Sequence, residues 1–218
     1  MSGLRRGKLL VFEGIDGSGT TTQIARFSER IRSQGRTVHV TREPSVAPIG
    51  ALIREALGGK IELGGATHAQ TMALLFAADR LDHVAREIEP RLAEGTIVLS
   101  DRYDLSSLAY QTATAAAATA DGFDLTAWVR SLNRFALRPD ATVVVDVDPD
   151  VAAQRRTARG AASEIYEHET LQRKLAALYR HAERLVPGDC ILHVCGDAAP
   201  DEVAEAIALA LTPHLDAS

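Results

Sequence analysis

The stretch Gly14-Ile15-Asp16-Gly17-Ser18-Gly19-Thr20-Thr21-Thr22, directly after the apolar run Leu9-Leu10-Val11-Phe12, constrains this chain more than any other feature. It follows the phosphate-loop pattern G-x-x-x-x-G-K-[ST] at every position except the lysine, where Thr20 stands. Glycines at Gly14, Gly17 and Gly19 let consecutive main-chain N–H groups turn into one concavity. A helix that starts there adds the partial positive charge of its first amides. Gly14, Ile15, Asp16, Gly17, Ser18, Gly19, Thr20, Thr21 and Thr22 are therefore the candidate nucleotide-phosphate cradle, and Thr21 holds the position whose hydroxyl ligates Mg²⁺. The plainer reading is an ordinary glycine-rich turn. Losing one well-aimed donor costs on the order of 3 kcal/mol, about a hundredfold in rate, by analogy with oxyanion-hole deletions. The cradle needs no lysine to hold phosphate, so the open question is whether it also transfers it.

The loop's surroundings suit it. Short β-branched or apolar runs, Leu9 to Phe12, Thr37 to Val40, Thr96 to Leu99, Thr142 to Val147 and Ile191 to Val194, alternate with longer helical patterns. That alternation predicts an α/β fold, an open parallel sheet with helices on both faces. Ile24, Phe27 and Ile31 keep helical spacing after the first run, and Gly35 closes that helix. A second long helix is expected from about Thr67 to Glu94, with Phe76 and Arg80 on one face. Thr112 to Ala120 is of low complexity and carries no chemistry. The segment from Arg155 to Glu167 reads as a short mobile lid.

With 218 residues and 46% hydrophobic content, the chain is expected to form one domain over residues 1–218. Its formal charge of -5 advertises neither nucleic acid nor an anionic membrane as partner, so any anion site must be local. The apolar runs are too short to span a bilayer and the first residues do not form a signal-peptide core, which points to the cytoplasm. Cys190 and Cys195 share one strand-like run, about 16 Å apart by strand steps, too far for a bridge within it. The seven histidines show no zinc-ligand spacing.

Candidate site residues collect where strands end. Asp101-Arg102-Tyr103 follows the third run, and ligands in open α/β sheets bind beyond the carboxyl ends of strands. Asp101 suits a magnesium water, and Arg102 suits an anion through its planar fork. A structural ion pair is the alternative. Arg42 ends the second run at the same rim. Phe76 and Arg80 read either as core or as a base platform with a cation, and Tyr110 and Gln111 either as base-edge partners or as a helix interior. Arg155, Arg156 and Arg159 are a local source of positive charge, unless they are simply solvated.

In order and spacing, Phe12-Glu13-Gly14-Ile15-Asp16-Gly17-Ser18-Gly19, Thr41-Arg42-Glu43-Pro44, Phe76-Ala77-Ala78-Asp79-Arg80, Asp101-Arg102-Tyr103 with Ser106-Ser107 and Ala109-Tyr110-Gln111, and Arg138-Pro139-Asp140 resemble the thymidylate kinases over essentially the whole chain. The resemblance implies a P-loop NTPase fold of three layers, a five-stranded parallel sheet flanked by helices with a short lid, and commonly a homodimer. It implies phosphoryl transfer from ATP to dTMP with Mg²⁺, giving ADP and dTDP. Phe76 would then stack on thymine. Arg42, Arg80 and Arg102 would grip the monophosphate, and Ser107, Tyr110 and Gln111 would border base and sugar. Asp16 and Asp101 would organise phosphate and metal, with Thr21 as the second metal ligand.

Three positions depart from the family pattern, each on the donor side: Thr20 for the loop lysine, Gly17 where one branch has an arginine, and Glu164 to Glu167 without the arginine of the related lid motif. Arg155, Arg156 or Arg159 is expected to supply the lost charge, and Thr20 a neutral hydrogen bond. Two other functions fit the same residues: a kinase for another nucleotide, and a nucleotide-binding regulatory protein that has lost transfer.

Overall fold

The computed structural model describes residues 6–64, 67–114, 123–158 and 165–216. The five apolar runs form five strands: β1 (Leu9–Glu13), β2 (Val38–Arg42), β3 (Ile97–Asp101), β4 (Ala141–Asp146) and β5 (Ile191–Cys195). They pair in parallel in the order β2-β3-β1-β4-β5. The three central strands read as unbroken aliphatic runs because helices cover both of their faces, and almost every residue in them is buried. The edge strands β2 and β5 are only half-buried and carry polar residues such as His39, Thr41 and His193.

Ten helices are described: α1 (Thr20–Ser33), α2 (Pro48–Leu57), α3 (His68–His83), α4 (Glu89–Ala93), α5 (Asp104–Thr114), α6 (Leu125–Leu132), α7 (Pro149–Ala158), α8 (Ile165–Tyr179), α9 (Ala182–Leu185) and α10 (Pro200–Asp216). Ile24, Phe27 and Ile31 of α1 are buried as their spacing predicts. They pack with Phe12, Leu99 and Val143 on one side of the sheet, while Leu9, Val11, Val84, Ile88 and Tyr103 form a smaller cluster on the other. Gly35, at φ 78°, ends α1 with its N–H on the carbonyl of Arg32 at 2.9 Å. The long helix expected from Thr67 to Glu94 is present, but α3 and α4 are joined through a π-helical turn at Val84–Ile88. Pro90 accounts for the widening: it has no N–H, and in a regular helix its ring would meet the carbonyl of Arg86.

The segment expected as a lid spans two helix ends. Arg155 to Ala158 close α7, and residues 165–167 belong to α8. Residues 159–164, Arg159 among them, lie outside the described residues, as does the low-complexity stretch beyond Thr114. Among the described residues no helix is long and apolar enough to cross a membrane.

The topology decides where a ligand can sit. From β1 the chain moves outward to β2 on one side and later to β4 and β5 on the other, so β1 has β3 and β4 as its neighbours. A crevice opens at the carboxyl end of β1, where the strand order reverses. The glycine-rich loop leaves β1 there, and Asp101 and Arg102 end β3 beside it, with Phe12 in register with Asp101.

Candidate active site

The loop is shaped by contacts that only glycine permits. Gly17 has φ 96°, and a Cβ on it would lie 2.5 Å from the carbonyl oxygen of Ala152 on α7. Gly19, also at φ 96°, is the left-handed residue that turns the chain into α1. No side chain caps α1 and its first turn holds no acidic residue, so its leading amides face the crevice without an internal anion. The Ser18 hydroxyl is buried without a protein partner. Loop, strand end and α7 together enclose a cavity of about 380 Å³ that Thr20, Thr21, Asp101, Arg102 and Arg156 help to line.

Thr21 and Asp101, proposed from sequence as the metal pair, meet. The Thr21 hydroxyl donates to Asp101 Oδ2 at 2.7 Å. Both are hard oxygen donors, the kind that Mg²⁺ prefers.

Arg102 sits in strained backbone. Its φ of 71° is unusual for a residue with a side chain, and such strain persists only where neighbours over-determine it. Here its N–H donates to the carbonyl of Phe12 at 2.9 Å, and its own carbonyl accepts from the Ser100 hydroxyl at 2.8 Å. The turn throws the guanidinium back over the loop, where Nη2 donates to Asp16 Oδ1 at 2.6 Å and Nη1 to Ser106 Oγ at 3.2 Å. Its carbon lies 5.4 Å from the centre of the Tyr110 ring.

Asp16 is a hub. Besides Arg102, its carboxylate accepts from the Tyr110 hydroxyl at 3.2 Å and from Gln172 Nε2 at 3.0 Å, while its N–H donates to Gln172 Oε1 at 2.9 Å. Burial pushes the Tyr110 phenol up to about 12, so near neutral pH it keeps the proton it gives to Asp16. Arg156 Nη1 donates to the main-chain carbonyl of Asp16 at 2.5 Å. Arg155 points elsewhere: it donates to the carbonyls of Gly196 at 2.9 Å and Asp197 at 3.4 Å, beside a neighbouring cavity lined by Ser18, Gly19, Thr22 and Gln23.

The residues expected on the acceptor side come from β2, α3 and α5. Arg42 is exposed at the end of β2, in register with Asp101. Phe76 is half-buried and belongs to neither apolar cluster of the described residues. Ser107 and Gln111 are buried on α5, and Gln111 Oε1 has no protein partner. Arg80, which the resemblance sets on the acceptor monophosphate, is 1% exposed. Its guanidinium pairs with Glu43 at 2.7 Å, donates to Ser107 Oγ at 3.0 Å and to Asn133, and lies 5.2 Å from the centre of the Tyr103 ring. A buried cation needs a buried anion, and Glu43, from the Thr41-Arg42-Glu43-Pro44 segment, supplies it.

The comparisons with known proteins agree with this geometry. The family model described as thymidylate kinase matches residues 12–195. The chain belongs to the thymidylate kinase family. A probable thymidylate kinase of Pyrobaculum aerophilum is 42% identical over 202 residues, covering 91% of this chain and 93% of that protein. The thymidylate kinase of Thermomicrobium roseum is 42% identical over 183 residues, covering 82% of each. That of Bifidobacterium longum is 44% identical over 154 residues, covering 68% of this chain and 71% of the other.

In this member of the thymidylate kinase family, several residues that hold the site escaped the sequence reading. Glu13, fully buried, accepts from Tyr103 N at 2.8 Å, Ser106 N at 3.1 Å, Ser106 Oγ at 2.6 Å and Tyr179 Oη at 3.0 Å. Burial raises its carboxyl to about 7, outweighing the pull of Arg102 and of these bonds in the other direction. Asp79 accepts from Ser45 N at 2.7 Å and Ser45 Oγ at 2.6 Å, clamping the loop after Arg42 to α3. Gln172 and Tyr179 come from α8, far along the chain. The signal for Glu13 and Asp79 is their chemistry, since a carboxylate inside an aliphatic run or a buried helix face must have partners. Nothing local signals Gln172.

Proposed function

We propose that this chain transfers the γ-phosphoryl group of ATP, bound with Mg²⁺, to the phosphate of dTMP, giving ADP and dTDP. The observation that carries the reading is the Arg102 turn: a strained, multiply bonded cation lining the cavity that the glycine-rich loop and the start of α1 form. It divides the crevice into a donor side and an acceptor side. The donor side fits a nucleotide tail, since the Ser18 hydroxyl is buried without a partner and the amides after Gly19 carry no internal anion.

In this reading Gly14 to Thr22 would cradle the donor phosphates, with Thr20 offering a neutral hydrogen bond in place of an ammonium. Thr21 and Asp101 would hold Mg²⁺. When bound, the ion would neutralise charge that builds on the transferring phosphates. Arg42 and Arg102 would bind the acceptor phosphate, with Asp16 and Tyr110 fixing Arg102 in place. Phe76 would stack on the thymine ring and Gln111 would meet the base edge. Arg80, through Ser107, would brace that pocket from below. No general base is required, because an acceptor monophosphate with a second pKa near ~6 is already largely ionised at neutral pH. Alignment and charge neutralisation are then the main tasks of the protein.

Following ADP formation with Mg-ATP and a panel of nucleoside monophosphates, or thymidine, tests the reading. Turnover is expected with dTMP at the highest kcat/KM. Phe76→Ala should raise the Kd for dTMP by about 1–3 kcal/mol, the worth of one base stacked on an aromatic ring. Equal turnover with other bases, or an unchanged Kd in the variant, would assign the pocket to a different nucleotide.

We also propose a homodimer. Leu74 and Leu81 are exposed seven residues apart on one face of α3, beside exposed Leu52 and Leu57 on α2. Apolar side chains grouped in this way favour a second copy.

A further inference from the structure

We propose that Arg156 supplies, from helix α7, the positive charge that the loop lacks at Thr20, and is thereby a catalytic residue of this chain. The inference rests on the kinase reading above and deepens it. Among the described residues, two cations help to line the loop cavity, Arg102 and Arg156. Arg102 is committed to the Asp16 carboxylate at 2.6 Å. Arg156 differs: among the described residues its bond goes to a neutral acceptor, the main-chain carbonyl of Asp16, and no ion pair offsets its charge.

Its position is set by the fold rather than by a flexible arm. A Cβ on Gly17 would lie 3.2 Å from Arg156 Cγ as well as 2.5 Å from the Ala152 carbonyl. Loop and helix are therefore in direct contact along one turn, with Ala152 fully buried beneath. Successive helical residues point about 100° apart, so Arg155 and Arg156 reach different cavities beside the loop. Arg156 lines the one with Thr20, Thr21 and Asp101, whereas Arg155 lines the one with Ser18, Gly19 and Thr22 and donates there to the carbonyls of Gly196 and Asp197.

The chemistry asks for a cation here. An oxygen of the acceptor phosphate forms a bond to the γ-phosphorus while the bond from that phosphorus to the β–γ bridging oxygen breaks, and the electron pair stays on ADP. Charge grows on the leaving oxygen, where a loop lysine would ordinarily stand. A guanidinium serves the same end with a planar fork of donors suited to phosphate oxygens. Arg156 would bring that charge from the far wall of the cavity, and Thr20 would then be tolerated because the ammonium is replaced rather than lost.

The test compares wild type, Arg156→Ala, Arg156→Lys and the double variant Thr20→Lys/Arg156→Ala, each checked for a wild-type melting profile. Steady-state kinetics are read beside calorimetric binding of Mg-ATP alone and of dTMP alone. Arg156→Ala should lower kcat about a hundredfold and weaken Mg-ATP binding at least fivefold, with dTMP affinity changed by less than about twofold. Arg156→Lys should retain most of the activity. Guanidinium chloride at low millimolar concentration should restore Arg156→Ala at least tenfold, and Thr20→Lys should bring the double variant to within tenfold of wild type. The proposal is overturned if Arg156→Ala binds Mg-ATP and turns over within threefold of wild type, or if neither guanidinium nor the new lysine restores it. Should the double variant not fold, the guanidinium arm decides. Should the wild type show no dTMP-dependent turnover, the kinase reading fails, and Mg-ATP binding to wild type and Arg156→Ala still decides the role of the arginine.

Discussion

Glu13 is the residue on which the largest opposed forces act. Four donors and a nearby guanidinium favour its carboxylate, yet full burial wins and lifts its pKa from 4.5 to about 7. A folded-state pKa above the unfolded one means that the native protein holds the proton more tightly. The stabilisation is complete below about pH 4.5 and is lost as pH rises through about 7, a swing of up to ~3 kcal/mol. Thermal melts of wild type should therefore fall in Tm between pH 5 and 8. Glu13→Gln mimics the protonated side chain, since its amide can still donate to Ser106 Oγ or Tyr179 Oη, and should flatten that slope. A slope unchanged in the variant would place the titration elsewhere. The sequence placed Asp16, Thr21, Asp101 and Arg102 correctly beside one another, because strand ends of a parallel sheet converge. It missed Arg80's burial, since helical spacing says which face a side chain occupies and not whether Glu43 waits beneath it.

At the level of elements, the site is held by packing between segments remote in the chain. Helix α7 rests on the loop at Gly17, so Gly17→Ala would force a Cβ into the Ala152 carbonyl at a backbone angle that disfavours side chains. Mg-ATP affinity should fall at least tenfold, with about 1–3 kcal/mol lost from unfolding stability. Asp79 clamps Ser45 in the loop after β2, and Asp79→Ala would leave the Ser45 N–H without a partner and the hydroxyl without its acceptor, its bond from Ala47 N alone remaining. That should cost about 1–3 kcal/mol of stability and raise the KM for dTMP more than that for ATP, because Arg42 rides on the same loop. Strand positions were legible to within one or two residues, since aliphatic runs covered by helices on both faces admit no other reading. The π-helical turn was not read, although Pro90 inside a long helical pattern was the signal for it. Contacts such as Gln172 with Asp16 lie 156 residues apart and leave no local trace.

For the molecule as a whole, the strand order β2-β3-β1-β4-β5 opens a single crevice at the end of β1 and brings the ends of β1, β2 and β3 to it. In the proposed reading, donor and acceptor sides would follow from that topology, with Arg102 at their boundary. The exposed leucines of α2 and α3 lie outside the cradle, so dimerisation should be separable from nucleotide binding. Leu81→Asp should sediment as a monomer and keep the Mg-ATP affinity of wild type. The central claim is that this member of the thymidylate kinase family transfers phosphate although its loop carries Thr20 instead of lysine. The most direct measurement is the simultaneous quantification of ADP and dTDP from the purified chain with Mg-ATP, with and without dTMP. The account predicts ADP formed in equal amount to dTDP and only when dTMP is present, whereas saturable dTMP binding with neither product formed would contradict it.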